Sequence, residues 1–235
     1  MKIISFLLRT FWPEICPFCG KASAAGICGT CKEELRKLTI QEPRCMQCGR
    51  PVRYAEQEYC HDCRASGHSY DQGCSLWLHR KPVSWSVYQF KYHNQRRFAY
   101  YYGEAMAKAF AGQVRRWAPE RILPIPLHRK RYRKRGYNQA LLLAEELGER
   151  LGIPVDPSGL VRRKSTTAQK MLGKQERIRN MQNAFAVSAD FVPVSTVLLI
   201  DDIYTTGNTM DAAAAVLKKA GVQKVYFLTI SIGQG

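Results

Sequence analysis

Eight cysteines of this chain fall into four C-x-x-C pairs: Cys16/Cys19, Cys28/Cys31, Cys45/Cys48 and Cys60/Cys63. No other feature restricts the fold as much. Two thiolates separated by two residues grip one metal ion from a tight knuckle turn, and a second pair completes a tetrahedral sulfur shell, the geometry of structural zinc. Gly20, Gly29 and Gly49 follow cysteines directly, where such turns use glycine's backbone freedom. The competing use of so many cysteines is a disulfide framework, which belongs to secreted chains. The start, MKIISFLLRTFWPE, has too short an apolar run for a signal peptide, and no small-residue cleavage site precedes Cys16. The expectation is a short amphipathic helix there, two structural zinc ions and a cytoplasmic protein. No window approaches the roughly 20 apolar residues of a membrane span.

The thiolates pair either sequentially (the first two pairs on one ion, the last two on another) or in a cross-braced order. The halves CPFCG…CGTC and CMQCG…CHDC repeat each other, and each is too small to fold without metal. His61 and His68 are surplus to the two shells. Cys74 stands alone and reads as a small buried hydrophobe. The domain expectation is a double zinc-ribbon or knuckle module over 1–75 and a second domain over 76–235, the junction lying near 68–82.

The second domain alternates strand and helix. VSWSVYQF (83–90) reads as a strand, 96–117 as a helix, RILPIP (121–126) as a strand and 138–152 as a helix. STVLLI (195–200) reads as a buried strand, 210–221 as a helix and 224–232 as a strand. This alternation predicts an α/β fold with a parallel sheet flanked by helices. Such sheets carry their sites at the C-terminal ends of strands.

One stretch stands at such an end. In VLLIDDIYTTGNT (197–209) an apolar run leads into Asp201 and Asp202, then into a loop of hydroxyls and one glycine before a helix. Backbone N–H groups of 205–209, with the hydroxyls of Thr205, Thr206 and Thr209, can wrap a phosphate at the positive end of the helix. Gly207 permits close approach. Two ionised carboxylates beside an anion site suit the hydroxyls of a vicinal diol, and a 5-phosphoribosyl group has that shape. The alternative, a plain N-cap with two idle acids, leaves costly carboxylates at a buried strand end without partners.

Charge is uneven. Residues 1–75 hold 10 Lys and Arg against 8 acids, a net +2; the remainder holds 26 against 11, a net +15. Such an excess suggests an anionic partner for the second domain, with solubility as the bland alternative. Six of the seven residues 129–135 are basic. With Tyr132 and Tyr137 they also fit a nucleic-acid stripe.

VLLIDDIYTTGNT resembles the phosphoribosyl pyrophosphate (PRPP) signature of type I phosphoribosyltransferases, with Asn208 where Ala or Gly is more usual. The chain as a whole resembles the ComF/GntX family, associated with bacterial competence: a cysteine-rich zinc module followed by a phosphoribosyltransferase-like domain. FKYH (90–93), LPIPLHRKRYRKRGYNQA (123–140) and TTAQKMLGKQERIRNMQNAF (166–185) also fit that family. The resemblance implies PRPP with Mg²⁺ bound by Asp201, Asp202, Thr205, Thr206, Gly207, Asn208 and Thr209. It implies a pyrophosphate site or flexible loop drawing on His128, Arg129, Arg131, Arg133, Arg135, Arg163, Lys164 and Arg177, with Gln169 and Asn180 nearby. It leaves three functions open: a phosphoribosyltransferase whose acceptor no base-reading pocket or general base identifies, a single-stranded DNA or RNA binder in DNA uptake, and a PRPP sensor without turnover. The nearly neutral zinc module reads first as a structural unit or a protein-docking unit.

Overall fold

The computed structural model describes residues 14–65, 67–163 and 184–233. The expected N-terminal helix, and Lys164, Gln169, Arg177 and Asn180, lie outside them. In chain order the elements are α1 (Gly29–Leu38), α2 (His61–Ala65), β1 (Gln72–Leu78), α3 (Val83–Tyr92), α4 (Phe98–Trp117), β2 (Arg121–Pro124), α5 (Arg129–Arg135), α6 (Gln139–Leu151), β3 (Leu160–Arg162), β4 (Phe185–Val187), β5 (Thr196–Tyr204), α7 (Asn208–Lys219) and β6 (Lys224–Ile232).

Four strands form a parallel sheet in the order β1-β6-β5-β2. β5 and β6 are buried on both faces, as parallel strands under helices must be. Their residues alternate. Leu198, Ile200, Leu228 and Ile230 face a core built with Val87, Phe90, Tyr102, Met106, Leu143 and Leu147 of α3, α4 and α6. Val197, Leu199, Val225 and Phe227 face the other core, built with Ala213 and Leu217 of α7 and Leu160 and Phe185 of the β3–β4 hairpin. That hairpin joins the two ends of the undescribed stretch 164–183.

The zinc module straddles this sheet at its β1 edge. Cys16, Phe18, Cys31 and Leu35 of the first unit join the first core, and Phe18 meets Trp77 and Tyr102 edge-on at 5.4 and 6.0 Å. Cys45, Cys48, Cys60 and Cys63 of the second unit join the other core beside Tyr70. The knuckle of the second unit packs so closely on the sheet that a Cβ on Gly49, whose φ is +72°, would lie 2.7 Å from the Gly73 carbonyl.

Three local expectations change. VSWSVYQF is helical, not a strand. Its buried residues are Val83, Ser86, Val87 and Phe90, the i, i+3, i+4, i+7 stripe of a helix, whereas an alternating strand would have buried Trp85 and Gln89 in place of Ser86 and Phe90. The strand on that side is instead β1, which runs through residue 75, so Gln72, Gly73 and Cys74 pair in the sheet with Tyr226, Phe227 and Leu228. The basic segment 129–135 is the short helix α5, not a loop: His128 accepts the Lys130 N–H at 3.2 Å, and Gly136, in the left-handed region, ends it.

Candidate functional site

The cysteines group sequentially. Cys16, Cys19, Cys28 and Cys31 form one set and Cys45, Cys48, Cys60 and Cys63 the other, with all four sulfurs of each set within 4.8 Å of one another. Zinc–sulfur bonds of about 2.3 Å at tetrahedral angles place sulfurs roughly 3.8 Å apart. The Cys19–Cys28 and Cys48–Cys60 sulfurs are each 3.7 Å apart. No described cysteine is disulfide-bonded, and the sulfurs of the two sets stand at metal-ligand spacing instead. Cys74 is buried in β1, as expected of a small hydrophobe, and its sulfur accepts a long contact of 3.7 Å from Arg44.

β5 continues through the two acids to Tyr204, so adjacent side chains diverge. Asp202 turns to α3, where its Oδ1 lies 2.7 Å from the Lys91 Nζ; the two side chains are 10% and 16% exposed. Lys91 also acts on His79, whose ring is held below its ordinary range by burial first and by that ammonium second. His79 Nδ1 is 2.9 Å from the Ser231 hydroxyl at the end of β6. Asp201 sits on the other side. Burial, then the adjacent Asp202, push its carboxyl up to about 7, against the opposing pull of Lys91, of the Asp202 N–H and of Arg162. The guanidinium of Arg162 is itself lowered by burial and then by Arg131. Asp201, Arg162 and Arg131 thus form one electrostatic group.

The loop 205–209 follows directly. Thr205, Thr206 and Asn208 are exposed, and Gly207 is buried. Gly207 is the N-cap of α7 at φ +80°, and no side chain caps the first N–H groups of this helix. Any side chain here is excluded twice, by that φ and because a Cβ would lie 2.5 Å from the Tyr204 hydroxyl. The result is an open helix N-terminus beside two acids, the arrangement expected from the sequence. The second zinc unit braces it: Arg50 donates from Nη2 to the Thr205 carbonyl at 2.8 Å.

The basic residues divide. Arg129, Arg131 and Arg133 project from α5 into solvent. Arg135 instead donates to Gln139 Oε1 at 2.9 Å and to the Tyr92 hydroxyl at 3.1 Å, its guanidinium 4.8 Å from the Tyr92 ring centroid. Arg163 is exposed where β3 ends. Lys91, Lys134 and Arg135 line a groove of about 630 Å³ together with Tyr88, Tyr92 and His93. Reading the sequence alone missed the roles of Lys91, His79, Arg50 and Arg162. FKYH was a visible signal for Lys91; the others reach the site only through packing.

A double zinc module on a parallel sheet whose central strand runs through an acid pair into a glycine-capped helix defines a zinc-ribbon phosphoribosyltransferase-type protein. Family models agree: a double zinc ribbon domain matches residues 7–64 and a phosphoribosyl transferase domain matches 138–231. The chain belongs to the ComF family. Competence protein F of Haemophilus influenzae is 32% identical over 209 residues, covering 85% of this chain and 87% of its own. DNA utilization protein YhgH of Escherichia coli K12 is 28% identical over 222 residues, 91% of this chain and 94% of its own. Competence protein ComFC of Bacillus subtilis 168 is 27% identical over 204 residues, 83% of this chain and 79% of its own. Among the described residues, no helix is long and apolar enough to cross a membrane.

Proposed function

We propose that the second domain binds PRPP and carries out phosphoribosyl-transfer chemistry on it. One observation carries this: the uncapped N-terminus of α7, bent around Gly207, stands directly behind Asp201 and Asp202. Backbone N–H groups of 205–209 would take the 5-phosphate and the two carboxylates the ribose hydroxyls. Mg²⁺, when bound with PRPP, neutralises the pyrophosphate, and an acid pair strained by its own burial suits a nearby cation. Arg129, Arg131 and Arg133 are free to meet the departing pyrophosphate, whereas Arg135 fixes α5 to α3 and α6. Arg162 and Arg163 stand at the end of β3, and Arg162 acts on Asp201.

Calorimetry with Mg²⁺·PRPP tests this. The parent protein is expected to bind, and Asp201→Asn with Asp202→Asn to lose binding. A double variant that binds as the parent does would overturn the diol assignment.

The Tyr88–Tyr92–His93 groove supports a second activity, binding of single-stranded nucleic acid. Tyr88 and Tyr92 are 52% and 49% exposed, and their ring centroids are 5.0 Å apart. Exposed aromatic faces beside Lys134 and Arg135 are what stacked bases and their phosphates need. The names of the competence and DNA utilization relatives agree with a nucleic-acid role. Lys91 belongs to this groove and to the acid pair, so a strand held there would lie beside the phosphoribosyl site. Tyr88→Ala with Tyr92→Ala is expected to weaken oligonucleotide binding at least tenfold, at about 1–3 kcal/mol per stacked base.

A further inference from the structure

His68 lies in the segment that leads from the second zinc unit to β1, five residues beyond Cys63. Its side chain is 8% exposed. The ring stacks on Tyr70 with centroids 4.7 Å apart and planes 15° apart. Nδ1 faces the first turn of α7, 3.6 Å from the Asp211 Oδ1, and that oxygen also accepts the Ser69 N–H at 2.5 Å. Cε1, between the two ring nitrogens, lies against the phosphate loop: a Cβ on Gly207 would be 3.3 Å from it. Nε2 is the next ring atom, bonded to that Cε1 on the far side from Nδ1. It is buried, and among the described residues it has no hydrogen-bond partner. A buried polar atom in that state is costly, and stacking on Tyr70 and pairing with Asp211 both leave it idle.

We propose that His68 is a ligand of the phosphate group held by the loop 205–209, its Nε2–H donating to a phosphate oxygen while Nδ1–H is directed to Asp211. The proposal rests on the phosphoribosyl reading above. The acceptor is an ionised phosphate oxygen, so the bond is charge-assisted. The anion site is then composite. The helix supplies backbone N–H groups, and the segment trailing the zinc module supplies a side chain. Arg50, from that module, fixes Thr205 at the edge of the same site.

Two amide substitutions separate the ring nitrogens. His68→Asn keeps a donor near the Nδ1 position and leaves nothing at Nε2; His68→Gln reaches the Nε2 position. Ribose-5-phosphate is titrated by calorimetry into the full-length zinc protein and each variant, with zinc content and thermal unfolding measured in parallel. His68→Asn is expected to bind about tenfold more weakly or worse, the loss of one charge-assisted hydrogen bond. His68→Gln is expected to stay within a few-fold of the parent. If His68→Asn does not fold, His68→Gln against His68→Phe makes the same comparison. Equal affinity for parent and His68→Asn, or for Gln and Phe, would overturn the role of His68 and leave the phosphoribosyl site standing. A parent that binds neither ribose-5-phosphate nor PRPP would overturn that site, and the His68 assignment with it.

Discussion

The two zinc units repeat each other in sequence and lie against opposite faces of the sheet. The first, through Phe18, Cys31 and Leu35, is built into the core under α3 and α4 and touches no residue of the acid pair or of the loop 205–209 through its described hydrogen bonds and ring contacts. The second shares a core with Tyr70, Tyr204 and α7, and Arg50 reaches the loop itself. One metal chemistry therefore serves two ends. In the first unit it supplies hydrophobic anchorage; in the second it braces the loop 205–209. Fold stability and ligand affinity should separate accordingly when each unit is damaged in turn.

The largest effect is expected from the ligands themselves. Cys16→Ser and Cys48→Ser should each lower the zinc content from two to one by metal analysis. Each should cost a sizeable part of the roughly 10 kcal/mol that a structural zinc site holds. The folded fraction of Cys16→Ser should keep its affinity for ribose-5-phosphate, and that of Cys48→Ser should lose it. Equal affinity in the two would erase the distinction between the units.

Next comes the buried pair. Lys91→Met leaves Asp202 without its partner at 10% exposure, and a loss of about 3 kcal/mol is expected in denaturant unfolding. Asp202→Asn strands Lys91 in turn and should cost a similar amount. Changing both together should cost less than the sum.

Asp201 gives a smaller and opposite effect. Its carboxyl is raised to about 7 in the folded protein from an ordinary 3.8. The folded state therefore binds this proton more tightly than the unfolded state. The raised group favours folding at low pH, and that contribution is lost as pH climbs from about 4 through 7. Asp201→Asn should remove this slope, so the variant gains stability relative to the parent as pH rises. A stability difference that does not change between pH 5 and 8 would contradict the raised carboxyl of Asp201. The smallest change in stability is expected for Arg129→Ala with Arg131→Ala and Arg133→Ala, exposed residues on α5. This variant should weaken PRPP and leave ribose-5-phosphate nearly untouched, because ribose-5-phosphate has no leaving group.

Much of this was legible in advance because it is local. Four C-x-x-C pairs announce two metal shells whatever surrounds them, although only the fold decides that they group sequentially. The run Val197–Ile200 can only be a buried strand, and the acids and Gly207 after it set the proposed site at its end. What escaped depends on tertiary contacts. QGCSLWL carries no strand signal of its own in the sequence, and only the fold shows it to be the edge strand that both units pack on. VSWSVYQF carries β-branched and aromatic residues, so composition pointed to a strand while the spacing of its buried positions made a helix. Arg50 and His68 stand 155 and about 140 residues from the groups they meet, beyond the reach of any motif, whereas Lys91, 111 residues from Asp202, had FKYH as its signal.

Phosphorus NMR of Mg²⁺·PRPP resolves the 5-phosphate from the pyrophosphate and reads the loop directly. The 5-phosphate resonance should be perturbed by the parent protein and unperturbed by Gly207→Val, whose added side chain has no room beside the Tyr204 hydroxyl. A 5-phosphate signal that ignores the parent protein, or responds equally to both proteins, would contradict a phosphoribosyl site at residues 201–209.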